Sequence, residues 1–363
     1  MRKQHLLWTG LVVLTFILAG CFQGEQSMEE IDAPEDAEPV DSLEEIDTES
    51  DEGTASETEG DDSSTPVGEA ETVPRQLYLL DANGMVASQT LNLPLEESKE
   101  VAAQALQHLV KGGPVTPMLP NGFQAVLPEG TEILSLNLQE DGTIIVDVSQ
   151  EFENYKAEDE RKILEAMTYT LTQFENVERM KLRMNGTPLE TMPVNGTPLG
   201  DGYSKTNGIN IAENDTVDLV DSKPVTMYYP ARQGDDSYYV PVTQYVEGEQ
   251  EEMYSNIIRE LVDGPGYQTN ATQVFNGQTG LADVPTLTDG VLELEFTQDI
   301  LAQEGHPVIA DEVMETIVRT MTELQDVEAV QIEVESVDQL VNESGEAYEE
   351  PVTSDMFIPA EKL

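Results

Sequence analysis

Side chains able to do nucleophilic, acid–base or metal chemistry are unevenly supplied in this chain. Of 363 residues only Cys21 is a cysteine, which rules out an intrachain disulfide and a thiolate cluster around a metal. The histidines are His5, His108 and His306. His5 falls in an N-terminal leader, which leaves two for a histidine-based triad or an imidazole-bound zinc. Carboxylates abound: 72 acidic side chains stand against 17 basic ones, a formal net charge of −55. In such a background no single carboxylate pair stands out as an acid and its base. "DANGM" (81–85) and "QEDGT" (139–143) hold Asp, Asn and Gly but lack the regular oxygen-ligand spacing of a calcium loop. The sequence has no phosphate loop, nucleophile elbow or metal-ligand spacing. The expectation is a non-enzymatic protein with no catalytic residues, no metal and no cofactor.

Cys21 has a different chemistry open to it. The leader "MRKQHLLWTGLVVLTFILAGC" starts basic (Arg2, Lys3), runs apolar from Leu6 to Ala19, and places small residues before the cysteine. That is the build of a signal peptide. "LAGC" (18–21) resembles the lipobox of bacterial lipoproteins, in which the cysteine sulfur is diacylated and becomes the mature N-terminus. The resemblance implies residues 1–20 as a lipoprotein signal peptide and Cys21 as the lipidation site, with two acyl chains giving firm anchoring on the outer face of the cell membrane. An ordinary secretory leader with an incidental cysteine is the alternative.

Residues 21–75 read as an acidic tether. From Phe22 to Pro74 there are 20 acidic residues and no Lys or Arg, a composition that self-repels and cannot bury a core, so disorder is expected. Extended at ~3.3 Å per residue it would reach roughly 170 Å. The overall charge repels nucleic acid and anionic headgroups, so no nucleic-acid partner is expected. It suits an outside medium rich in salt or alkali.

The elements that follow are repeated. In 76–190, apolar runs flank "DANG" as a hairpin, and "PLEESKEVAAQALQHLVKGGP" (94–114) has one apolar helical face closed by Gly-Gly-Pro. His108 lies in that helix with no second ligand in register and reads as structural or solvated. A second hairpin turns at "DG" (141–142), a helix follows at "AEDERKILEAMTYTLTQF", and "VERMKLRMNG" closes the unit as a strand. In 224–340 the script returns: "LVDGP" answers "LVKGGP", "GVLELEFTQDI" answers "GTIIVDVSQEF", and "TMTELQDVEAVQIEVES" (320–336) answers "TLTQFENVERMKLRMNG" (170–186). The fold class predicted is α+β, with two tandem small domains, each about β-β-α-β-β-α-β with helices on one face of a sheet. Residues 191–223 read as a polar, Gly/Pro-rich linker whose "NGTPL" (195–199) echoes the one at 185–189, read as the strand end plus a turn, with no function expected of either. Residues 341–363 read as a loosely ordered acidic tail.

This pattern, together with the lipobox, resembles the GerM family of sporulation and germination lipoproteins of spore-forming Firmicutes, which carry two GerMN domains. The second copy departs from the pattern where Ser336 replaces the glycine found at Gly186. The resemblance implies domains similar to the ring-building motif and a protein anchored on the mother-cell membrane, facing the space between mother cell and forespore. It implies as partners the ring-forming proteins of the channel complex between those cells. The competing class is an extracytoplasmic ligand- or cell-wall-binding lipoprotein of the growing cell.

The two closing strands differ in charge. Met180, Leu182 and Met184 are expected to point inward, leaving Arg179, Lys181 and Arg183 on the other face. In the second copy Val330, Ile332 and Val334 point inward and Gln331, Glu333 and Glu335 outward. A basic face in one domain meeting an acidic face on a neighbour would drive self-assembly. Two solvated faces with drifting charge are the alternative.

Overall fold

The computed structural model describes residues 72–95, 101–212, 222–234, 236–248, 252–266, 271–303 and 305–357. The leader, Cys21 and nearly all of the tether lie outside them.

The first copy runs β1 (Thr72–Leu80), β2 (Val86–Pro94), α1 (Val101–Gln107), β3 (Ile133–Leu138), β4 (Thr143–Val148), α2 (Glu160–Leu171) and β5 (Arg179–Met184). It continues into two short strands, β6 (Thr187–Pro188) and β7 (Tyr203–Ser204). The second copy runs β8 (Ser222–Gln233), β9 (Asp236–Glu247), α3 (Met253–Asp263), β10 (Thr286–Thr288), β11 (Val291–Phe296), α4 (Asp311–Met321) and β12 (Ala329–Val334). The order β-β-α-β-β-α-β holds in both. Of the helix anticipated over 94–114, α1 forms the central part; residues 96–100 lie outside the description, and the chain leaves the helix after Gln107 through turns that include Gly112 at φ 72°.

Within each copy the strands divide between two sheets. β1 and β2 form a separate antiparallel hairpin, as do β8 and β9. The remaining strands form a mixed sheet, β3-β4-β5 in one copy and β10-β11-β12 in the other. β4 and β5 are parallel, as are β11 and β12, because a helix crosses over between them. α2 lies between hairpin and sheet, so ten of its twelve residues are buried, Thr168 and Thr170 among them. The Thr170 hydroxyl accepts a hydrogen bond from the Tyr78 N–H of β1 at 3.1 Å. The same bond recurs from the Tyr228 N–H of β8 to Thr320 of α4, also at 3.1 Å. A hairpin leaves alternate N–H groups pointing away from its partner strand, and a buried one must find an acceptor.

The repeat is longer than its sequence signature. The Met180–Tyr203 pairing of β5 with β7 returns as a bridge between Val330 and Val352. The bridge Thr191–Pro198 returns as Val341–Ala347, and the 3-10 turn Lys205–Asn207 as Ser354–Met356. Much of the expected linker and tail is therefore the end of each copy. The tail is not loose up to Phe357: Leu340 and Val352 are buried. The second "NGTPL" is likewise structural. The buried Glu160 carboxylate at the start of α2 accepts from the backbone N–H groups of Val194, Asn195 and Thr197, the Thr197 hydroxyl and the Tyr155 hydroxyl. Burial alone would raise its pKa, but these donors outweigh it and hold the carboxyl below the usual range.

Candidate functional site: the joint and the two outward sheet faces

The two copies, both inside the unit Val67–Leu363, share a joint. β2 and β9, which hold the same place in their copies, pack on each other. Equivalent elements in mutual contact are the signature of a two-fold, isologous interface. At the seam β9 carries Pro241, which has no N–H to offer a neighbouring strand. The side chain of Asn210 fills the gap. Its Nδ2 donates to the carbonyls of Val86 (2.7 Å) and Pro241 (2.8 Å), and its Oδ1 accepts from the Val86 N–H (2.9 Å). Asn210 holds φ 46°, a left-handed conformation that asparagine tolerates better than most side chains. Beside it, Thr243 of β9 exchanges backbone hydrogen bonds with Ile209 and Ala212. The segment 209–212 is thus a splint between hairpins.

Three further contacts close the joint. Asp81, in the "DANG" turn, is 3% exposed and accepts from the Tyr238 hydroxyl of β9 at 2.8 Å as well as from the N–H groups of Asn83 and Met85. The Tyr169 hydroxyl of α2 meets Thr226 of β8 at 3.0 Å, and Thr226 meets Thr243 at 3.1 Å. Lys205 reaches Glu323, just beyond α4, at 2.5 Å, and Glu323 also accepts from the Tyr228 hydroxyl at 3.0 Å. Burial would pull the Lys205 ammonium down, but Glu323 and Tyr78 outweigh it and hold the pKa above its ordinary value. The joint is filled with tyrosine and threonine side chains.

Next to the splint sits Glu165 of α2, 2% exposed. Burial pushes its pKa up to about 7, against the Asn210 N–H and the charges of Arg161 and Lys162, which pull it down. Its Oε1 has no hydrogen-bond partner among the described residues. His108 is buried, with Nδ1 2.8 Å from the Gln104 carbonyl oxygen, a structural setting; His306 is exposed. Among the described residues no group of three or more His, Cys, Asp or Glu could hold a metal ion.

The outward faces of the mixed sheets carry the charged residues singled out from the sequence. On β5, Met180 and Leu182 are buried while Lys181 and Arg183 are exposed and Arg179 is half-buried. On β12, Val330, Ile332 and Val334 are buried, Glu333 and Glu335 exposed and Gln331 half-buried. The left-handed turn after β5 (Asn185 φ 48°, Gly186 φ 78°) has its counterpart at Ser336, φ 61°. Serine keeps the conformation of the glycine it replaces.

The profile of the family described as "Germane: Sporulation and spore germination" matches residues 76–190 and 226–339, one span for each copy. The chain belongs to the Germane family. It is 43% identical over 359 residues to the spore germination protein GerM of Bacillus subtilis (strain 168), covering 97% of each chain. The solved tandem GerMN domains of the sporulation protein GerM from Bacillus subtilis superpose with a TM-score of 0.72 at 44% identity. That match spans 78% of this chain and 98% of the other. The Germane profile stops at 190 and 339, whereas the structural repeat goes on to Asn207 and Met356. The joint residues Lys205 and Asn210 fall outside both matched spans. Sequence reasoning missed them for the same reason: both lie beyond the repeated sequence pattern, Lys205 in a turn that recurs only in the structure and Asn210 past it. Their signals were a lysine in a chain poor in basic residues and an asparagine between apolar residues in "GINIA".

Proposed function

We propose that this protein acts in sporulation and spore germination as a lipid-anchored, non-enzymatic assembly factor. In this reading Cys21 carries the lipid, the acidic segment 21–75 spaces the folded part from the membrane, and the tandem domains face the space between mother cell and forespore. There they help to build or stabilise a ring-like channel complex with other ring-forming proteins. The observation that carries the reading is the match to GerM along 97% of both chains.

The test follows a fluorescent fusion of the full chain through starvation in its own host. Recruitment to the membrane engulfing the forespore, abolished by Cys21→Ala, is the expected result. Uniform signal on growing cells, indifferent to sporulation, would sink the reading in favour of a wall- or ligand-binding lipoprotein.

A further inference from the structure

The sheet register extends the charge contrast beyond the closing strands. In the first copy β4 and β5 pair Thr143 with Arg179, Ile145 with Lys181 and Asp147 with Arg183. The Asp147 carboxylate accepts from the Gly186 N–H at 2.9 Å. Arg179 is paired with its neighbour Glu178 at 3.2 Å, but Lys181 and Arg183 make no ion pair among the described residues. This outward face therefore presents three cations, from a chain with 17 in all, beside the single carboxylate of Asp147 on β4. In the second copy β11 and β12 pair Glu293 with Gln331 and Glu295 with Glu333, and Glu335 follows on the same side. Four carboxylates share that face, and no cation pairs with any of them among the described residues. Glu295 and Glu333 stand on adjacent strands about 4.8 Å apart, an arrangement of like charges that destabilises a sheet.

Both faces belong to equivalent sheets, the basic charges along β5 and the acidic ones along β11 and β12, and alternate residues on a strand stand about 6.6 Å apart. We propose that the basic face Arg179/Lys181/Arg183 of one molecule docks on the acidic face Glu293/Glu295/Glu333/Glu335 of a second copy of this chain. The faces are different surfaces of one molecule, so the contact is heterologous and propagates head to tail. It relieves the repulsion between Glu295 and Glu333, and it is a pairing of exposed charges, so it sets specificity and weakens with salt. The inference rests on the assembly reading above and names the surface that would carry it.

The experiment uses the full chain in detergent micelles, as two populations fused at the C-terminus to donor and acceptor fluorescent proteins, with energy transfer as the readout. Wild type should associate, with an affinity at least about tenfold weaker in 0.5 M than in 0.05 M NaCl. The triple variant Arg179→Glu/Lys181→Glu/Arg183→Glu should lose transfer with itself. So should the quadruple variant Glu293→Lys/Glu295→Lys/Glu333→Lys/Glu335→Lys. Mixing the two variants should restore it, because each then offers the charge the other lacks; restoration also shows that both are folded. Absence of transfer in wild type, unchanged transfer in either variant, or no restoration on mixing overturns the proposal. Loss in the triple variant with retention in the quadruple one overturns it in favour of the acidic tether as occupant. Forespore recruitment of both variants, followed in cells, is read separately: normal recruitment with lost transfer refutes this contact but leaves the sporulation reading intact.

Discussion

Replacing Glu165 by Gln should change how the stability of this protein responds to pH. The buried carboxyl titrates near 7 in the folded state against an ordinary value of 4.5. Burial is the main cause, and the Asn210 N–H, Arg161 and Lys162 offset it only in part. A folded pKa above the unfolded one means that the native state holds the proton more tightly. The resulting stabilisation is complete below about pH 4.5, declines as pH rises, and is gone above about 7. The two values lie about 2.5 apart in pH, and about 1.36 kcal/mol per unit gives an upper figure of about 3 kcal/mol. Glutamine mimics the neutral acid and does not titrate. The advantage of Glu165→Gln over wild type should therefore grow by about 2–3 kcal/mol between pH 4.5 and pH 8. Urea unfolding of both full chains at half-unit pH steps measures it, with tyrosine fluorescence or far-UV circular dichroism as probe; the single tryptophan, Trp8, lies in the leader. Taking the difference between variant and wild type cancels the strong background from the other carboxylates. If glutamine's extra donor fits poorly, the whole difference curve moves down but keeps its slope. Parallel stability curves across the range would refute the reasoning.

Two other substitutions test the joint and the repeat. Asn210→Ala removes three hydrogen bonds, strands the buried Val86 amide and carbonyl, and forces a non-glycine residue to hold φ 46°; a loss of about 3 kcal/mol in urea unfolding is expected, with Asn210→Gly milder, and a loss below about 1 kcal/mol would mean the splint is dispensable. Ser336→Gly relieves a left-handed serine at an exposed turn, so the midpoint of thermal unfolding should rise by an amount worth up to about 1 kcal/mol; a fall would show that the serine side chain contributes more than its backbone costs.

The element order was legible because it rests on local periodicity. The alternation in "RMKLRM" and "AVQIEV" alone assigns inner and outer residues of β5 and β12, and the burial pattern agrees except at Met184, expected inward but half-buried, and Ala329, outward in register but buried. The "DG" turns were readable from glycines that the structure places at positive φ, Gly142 and Gly290. What the sequence could not convey is which strands share a sheet. Alternation fixes a strand's two faces but not its neighbours, so the split between hairpin and mixed sheet stayed hidden, as did the buried position of α2 between them. The ends of the copies escaped for a related reason. Residues 187–207 and 337–356 are held by single bridges and capped turns, such as the five donors on Glu160, and leave no apolar rhythm to read. At the joint, Asn210 and Glu165 depend on long-range neighbours that only folding brings together.

The packing of β2 on β9 carries a consequence for what a covalent tandem can do that a dimer of separate chains cannot. Two identical subunits joined about a two-fold axis must present the same surface at either end, so the pair has no direction. Here both halves belong to one polypeptide and have been free to diverge, and the closing strand of one copy exposes Lys181 and Arg183 where that of the other exposes Glu333 and Glu335. Fusion has turned a symmetric arrangement into a molecule with polarity.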